Sequence, residues 1–224
     1  GTGAALAVIP VGTGNDFANA LGVPKGDVAA ACRVLPRGQR RPMDLCRVNN
    51  RYFASSFGAG FDARVTKAAN ERFKRLGGIW TYIFAVMSVI WSFRPGRMRI
   101  VADGREICKS PLLVAVTNWK SYGGGMYICP GAEIDDGLFE VCIVDNVPIL
   151  KFLYCFPRVI RGTHVTMPEV EIFRAQSVHI SCSRMETYHV DGEVFEADEM
   201  ELKLVPGGID VAWDGLTVSF ADSD

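Results

Sequence analysis

The sequence predicts an α+β protein: a mainly antiparallel β-sandwich with a few helices, joined to part of an α/β unit. Three observations predict it. From residue 97 onward, short β-enriched runs separated by turns recur with a single helical interruption at 149–160, which is the pattern of a sandwich. Residues 4–24 read instead as strand, glycine turn and helix. Between 62 and 93 the apolar period is helical. A chain of 224 residues holds one large domain or one and a half, enough to bury a sizeable core.

The first unit begins with an apolar run, Ala4 to Ile9, that stops at Pro10. Gly12 and Gly14 then permit the positive-φ backbone of a loop that folds around a bulky ligand. Asn15 or Asp16 can cap the helix that follows, with Phe17, Ala20 and Leu21 on one face, and Gly22 and Pro24 end it. Such a unit offers backbone N–H groups to anionic oxygen, and Asp16 beside a phosphate makes most sense with a divalent cation between them. The same pattern also describes an ordinary strand-to-helix turn with a capping Asp.

Residues 27–35 read as a short helix and 36–42 as a basic, solvated connector. Strands at 43–48 and 51–55 flank an AsnAsn turn, a hairpin that carries the chain between domains. Asp44, in an otherwise apolar strand start, needs a partner if buried: a metal-linked water, a hydroxyl or the backbone. Residues 62–75 form an amphipathic basic helix, interrupted by Gly77 and Gly78. Ile79 to Phe93 is apolar throughout and stopped by Arg94 and Pro95. Those fifteen residues are too short for ~30 Å of hydrocarbon. They read as a core helix or as one lining an acyl-chain groove, with Trp80, Tyr82 and Trp91 also suited to an interface.

Beyond residue 97, strands are expected at 97–102, 105–108, 112–117, 126–129, 138–144, 170–174, 177–182, 186–190, 194–196 and 199–205, with a last hairpin of 209–213 and 216–220. No internal repeat or low-complexity stretch is evident.

Lys plus Arg number 24 against 25 Asp plus Glu, so no global basic field points to nucleic acid, and partners must be argued locally. Seven cysteines without a CxxC pair argue for a reducing, cytoplasmic setting and against a disulfide framework or zinc site. ValAspGlyGlu at 190–193 clusters two carboxylates around a glycine, a pair that repels unless a cation or shared proton offsets it; AspGly is equally a common hairpin turn. AspAspGlyLeu at 135–138 reads first as a turn, and His164 as a structural hydrogen-bonding residue.

These pieces carry a resemblance. GlyThrGlyAsnAspPhe at 12–17 closely resembles the second nucleotide loop of the diacylglycerol-kinase-like lipid kinases. Asp44 in MetAspLeuCysArgVal, PheGlyAlaGlyPheAspAla at 57–63, TyrGlyGlyGlyMet at 122–126, AspAspGlyLeu, ProArgValIleArgGlyThrHis at 157–164 and ValAspGlyGlu follow in that family's order. The resemblance implies three parts. Residues 1–45 would be the C-terminal part of an α/β nucleotide-binding domain, 46–208 a β-sandwich lipid-substrate domain, and 209–224 a terminal hairpin returning to the nucleotide domain. It implies ATP and Mg2+ as cofactors and a lipid alcohol as substrate at a peripheral membrane surface. Gly12, Thr13, Gly14, Asn15 and Asp16 would bind nucleotide. Asp191 would be the base. Asp16, Asp44 and Glu193 would form the catalytic Mg2+ network, with Asp136 and the Leu138 carbonyl holding a structural Mg2+ in some similar enzymes. The family's first motif, a GlyGlyAspGlyThr loop, is absent. The expectation is therefore a fragment without catalysis of its own, whose exposed edge strands could pair two copies. The alternatives are a non-catalytic lipid- or partner-binding module and, third, an NAD kinase.

Overall fold

The computed structural model describes residues 3–12, 15–21, 23, 28–34 and 40–212. At the N-terminus are β1 (Ala5–Leu6), α1 (Asp16–Ala20) and α2 (Val28–Val34). Next come β2 (Arg40–Val48), β3 (Arg51–Phe53) and β4 (Ser56–Gly60), and α3 (Phe61–Ala68) leaves β4 directly. A π-helical turn, Ala69–Phe73, and a 3₁₀ turn, Lys74–Leu76, lead into α4 (Gly78–Val89). Strands β5 (Met98–Ala102), β6 (Arg105–Lys109), β7 (Leu113–Thr117) and β8 (Phe139–Val144) precede α5 (Ile149–Ile160). The described residues close with β9 (Val170–Ala175), β10 (Ser177–Val190) and β11 (Glu193–Ala212).

The mainly antiparallel class holds, but its strands are fewer and longer than the turn signals suggest. β10 joins the two runs expected at 177–182 and 186–190. A bulge between Ser181 and Glu186 lets its first half pair with β5 and its second half with β4. A strand that changes partners at a bulge turns the corner between two packed layers. Phe57, Ile100, Val116, Phe139, Ile180 and Met200, from six strands, meet in the shared core with no exposed surface.

β11 runs twenty residues and absorbs ProGlyGly at 206–208 as an irregularity between Val205 and Ile209, where a strand break was expected. Its end pairs in parallel with β1, Ala5 opposite Asp210 and Leu6 opposite Val211, so one strand ties the N-terminal unit to the sandwich. The second arm of the expected terminal hairpin, 216–220, lies outside the described residues.

Two local expectations are corrected. Residues 126–129 form no strand, because Gly123, Gly124 and Gly125 all adopt positive φ and curl the chain into a loop closed by a Tyr122–Met126 bridge. β4 was not expected, since two of its five residues are glycines, which are depleted in strands. It is nevertheless buried throughout, paired with β10 on one side and β7 on the other.

Candidate active site

The β4–α3 junction sets the geometry. Gly60, at φ 82° and ψ −128°, turns the chain so that Asp62 stands in the first turn of α3, over the sheet. Opposite it, β10 pairs His189 with Gly58. His189 Nε2 lies 3.0 Å from Asp62 Oδ2, and the Tyr122 hydroxyl donates to the same oxygen at 2.5 Å. The carboxylate fixes the His189 proton on Nε2, while buried Nδ1 has no hydrogen-bond partner. Gly58 is required here: a Cβ at that position would stand 2.0 Å from Asp62 Oδ2 and 2.4 Å from His189 Nε2.

β10 ends one residue later, at Val190, in a tight hairpin whose central residues, Asp191 and Gly192, have φ 46° and 90°, as a two-residue turn with AspGly demands. The hairpin reading and the functional reading of ValAspGlyGlu therefore coexist. Asp191 accepts backbone N–H groups from Ala54 at 2.7 Å, Ser55 at 3.0 Å and Ser56 at 2.8 Å, stapling the turn to the chain entering β4. Asn70, in the π-helical turn, donates to the Gly192 carbonyl at 2.8 Å.

The N-terminal loop closes the site from the other side. Asp16 Oδ2 accepts the Gly124 N–H at 3.0 Å, tying the glycine loop of 122–126 to the head of α1. α1 is only five residues long, so its macrodipole is small. Asn15, at φ 53°, folds back on Gly12 through reciprocal bonds of 2.9 and 2.7 Å, so its side chain closes the loop. Thr13 and Gly14 lie outside the described residues.

Asp16, Asp62 and Asp191 thus line one cavity of about 400 Å³, with Val8, Phe17 and Met126 among its apolar walls. Tyr82 of α4 also faces it. Burial first, then the Asp16 and Asp62 carboxylates, push its hydroxyl up to about 12, so at neutral pH it is a donor. Burial, reinforced by Asp62, likewise raises Tyr122.

Other expected site residues stand elsewhere. Asp44 is buried outside the cavity walls, its Oδ2 accepting the Gly137 N–H at 2.7 Å and its Oδ1 the Gly207 N–H at 2.8 Å. Glu193 is exposed at the start of β11, and it too is outside the cavity walls. Asp136 accepts the Leu138 N–H at 3.0 Å and faces Arg174 at 3.5 Å, while Asp135 pairs with Arg41 at 2.6 Å, so arginines already balance this turn. His164 is buried with Nε2 3.1 Å from the Ile128 carbonyl. Among the described residues, no three His, Cys, Asp or Glu side chains gather as a metal cluster.

Asp62, Tyr122 and His189 were not singled out as site residues. A signal for His189 existed: it stands two positions before Asp191, in the expected strand of 186–190 that leads into the ValAspGlyGlu turn.

Comparison with known proteins agrees with this architecture. Residues 55–213 match the model of the YegS C-terminal NAD kinase beta sandwich-like domain, and residues 1–48 that of the diacylglycerol kinase catalytic domain. The chain is 34% identical over 217 residues to a diacylglycerol kinase of Mycobacterium tuberculosis, covering 94% of this chain and 70% of that protein. It is 31% identical over 188 residues to one of Bacillus subtilis, covering 84% of this chain and 62% of that protein. A crystal structure of a proposed diacylglycerol kinase from Bacillus anthracis superposes with a TM-score of 0.77 at 26% identity, covering 94% of this chain and 70% of that one. With this sandwich, this cleft and these relatives, the chain belongs to the diacylglycerol-kinase-like lipid kinase family.

Proposed function

We propose that this chain forms the lipid-binding and part of the nucleotide-binding portion of an ATP-dependent kinase that phosphorylates the hydroxyl of a diacylglycerol-like lipid. One observation carries the reading: acids from three distant stretches, Asp16, Asp62 and Asp191, face a single cavity with polar and apolar walls. A lipid alcohol needs both, an apolar wall for its glycerol and acyl portion and an acceptor for its hydroxyl.

The donor set fits Mg2+ brought in with nucleotide better than a cage built by protein, since Mg2+ is commonly held by one or two carboxylates plus substrate phosphates. Asp16, next to the glycine loop, is the residue that would hold it. When bound, Mg2+ neutralises charge on the transferring phosphoryl group. The two remaining acids differ in what they can still accept. Asp191 already takes three N–H groups, most of the roughly four acceptor sites of a carboxylate. Asp62 has Oδ2 anchored by Tyr122 and His189, which leaves Oδ1 to receive the proton of the attacking hydroxyl. Asp62 is then the proton acceptor, and Asp191, the base by family resemblance, shapes the turn beside it.

The test is transfer of radiolabelled phosphate from ATP to diacylglycerol by the whole protein. Asp62→Asn is expected to lower kcat about 10²-fold or more while the protein stays folded. Unchanged turnover in that variant rejects the assignment of Asp62. Labelling of NAD but not of lipid favours the NAD kinase reading, and saturable lipid binding without transfer favours the binding module.

A further inference from the structure

Between Ser181 and Glu186 the bulge of β10 leaves its register with β11 and leans on the segment that follows α4. The Ser183 N–H bonds the Arg97 carbonyl at 3.0 Å, and Arg184 Nη2 bonds the Arg94 carbonyl at 2.8 Å. A bulge placed in this way re-aims the side chains it carries. With Arg64 of α3, the bulge and that segment border a second cavity of about 340 Å³, which shares no lining residue with the cavity of Asp16, Asp62 and Asp191.

The polar lining of this second cavity is of two kinds. Arg64, Arg94 and Arg184 are exposed around it. Glu186 also lines it but is only 1% exposed, and its buried Oε2 has no hydrogen-bond partner. The ion pair from that oxygen to Arg184 Nε spans 3.9 Å, too long for a hydrogen bond. Gly96 makes room for the carboxylate, since a Cβ there would stand 2.8 Å from Oε2. A buried carboxylate oxygen without a hydrogen bond is costly, so a donor arriving through the cavity would be held firmly. Arg94 and Arg184 each spend one side-chain N–H on a backbone carbonyl and keep the rest of their five.

We propose that this cavity binds a small hydroxylated phosphomonoester, with its phosphate on Arg64, Arg94 and Arg184 and its hydroxyl donating to Glu186 Oε2. Planar guanidinium forks match phosphate oxygens in pairs. Three guanidinium groups against one carboxylate leave a charge of +2, which balances a phosphomonoester of about −1.5 to −2 at neutral pH. A ligand with an ammonium in place of the hydroxyl would add to the positive excess. Val89, Phe93 and Met185 supply apolar contact for the carbon skeleton.

The test is isothermal titration calorimetry of the chain with sn-glycerol 3-phosphate, inorganic phosphate and glycerol. Glycerol 3-phosphate should bind about tenfold or more tighter than inorganic phosphate, and glycerol should give no heat of binding. Arg64→Ala with Arg94→Ala changes two exposed side chains, so circular dichroism and melting should stay as in the parent while affinity for glycerol 3-phosphate falls about tenfold or more. Glu186→Gln should bring the two phosphates within about threefold of each other, and the arginine variant decides should Glu186→Gln not fold. Monohexanoyl glycerol 3-phosphate carries the same head on a short chain. If it binds tighter than the free ester, and loses that binding in the arginine variant, the ligand is a lipid head; if it binds more weakly, the ligand is a free ester. No measurable binding of either ester, or equal affinity in the parent and the arginine variant, overturns the proposal.

Discussion

His189 Nε2 lies 3.0 Å from Asp62 Oδ2, across 127 positions of sequence, and Gly58 is what leaves room for the pair. Gly58→Ala is expected to push the two side chains apart, because neither can move far when β4 is buried on both sides. The cost should be about 1–3 kcal/mol of stability, as for overpacking elsewhere. Turnover of the whole protein should fall by more than that of a Gly104→Ala variant, whose added Cβ meets no neighbour but is strained by a φ of 87°, so that it loses stability without touching the cavity walls. Chemical denaturation of both variants, with lipid phosphorylation assayed beside it, checks this.

Asp191 and Asp62 should separate in how they fail. Asp191→Ala removes the acceptor for three backbone N–H groups and is expected to destabilise the protein by about 2 kcal/mol, visible in the denaturation midpoint. Asp191→Asn keeps one oxygen and should recover part of that loss. Asp62→Asn should leave the midpoint close to the parent's and act on kcat.

What could be read in advance follows from how local the cause is. The AspGly hairpin at 191–192 and the helix of 149–160 depend on nearby residues and were visible in the sequence. The continuity of β10 and β11 was not, because Arg184 with Met185 in one and ProGlyGly in the other read locally as breaks, while pairing with β4, β5 and β2 carries the strands across. β4 was hidden for a related reason: Gly58 leaves room for Asp62 and for His189, which arrives on the distant β10, and Gly60 takes a φ of 82° against the Leu112 carbonyl. The apolar segment 79–93 was legible as a helix, but its partly exposed orientation was not, since core and interfacial readings share one pattern. Asp44 was legible as a buried acid in need of a partner. The partners, Gly137 and Gly207, come from turns 93 and 163 positions away.

Asp103 should give the fold a small acid sensitivity. With Gly104 it forms the two-residue turn between β5 and β6, and it accepts the Gln176 N–H at 2.8 Å and the Ser177 N–H and hydroxyl at 2.9 Å. Burial pushes the carboxyl up, but these three bonds together hold it below its usual range. A folded value below the unfolded one means the stabilisation is complete above the unfolded value and is lost as pH falls through the folded one. Asp103→Asn should therefore lower the urea midpoint at neutral pH. The gap to the parent should narrow below about pH 4. The turn is solvated, so the effect should be modest and shrink with salt.

The heaviest single loss of stability is expected at Asp44. Its side chain is 2% exposed, and its two oxygens hold the 135–138 turn through Gly137 and the β11 irregularity through Gly207, while its backbone bonds Ile134 and Asn118. Asp44→Ala removes the acceptor of two part-buried hydrogen bonds and leaves a gap where the buried carboxylate stood, at about 3 kcal/mol. Asp44→Asn can accept at only one oxygen and turns an NH2 toward the other N–H, so it should fall between Ala and the parent. If Asp44 matters only by holding these turns, its variants should lose activity in proportion to the unfolded fraction, with kcat per folded molecule unchanged. A fall in kcat at temperatures where circular dichroism shows full folding would instead give Asp44 a direct part in the chemistry.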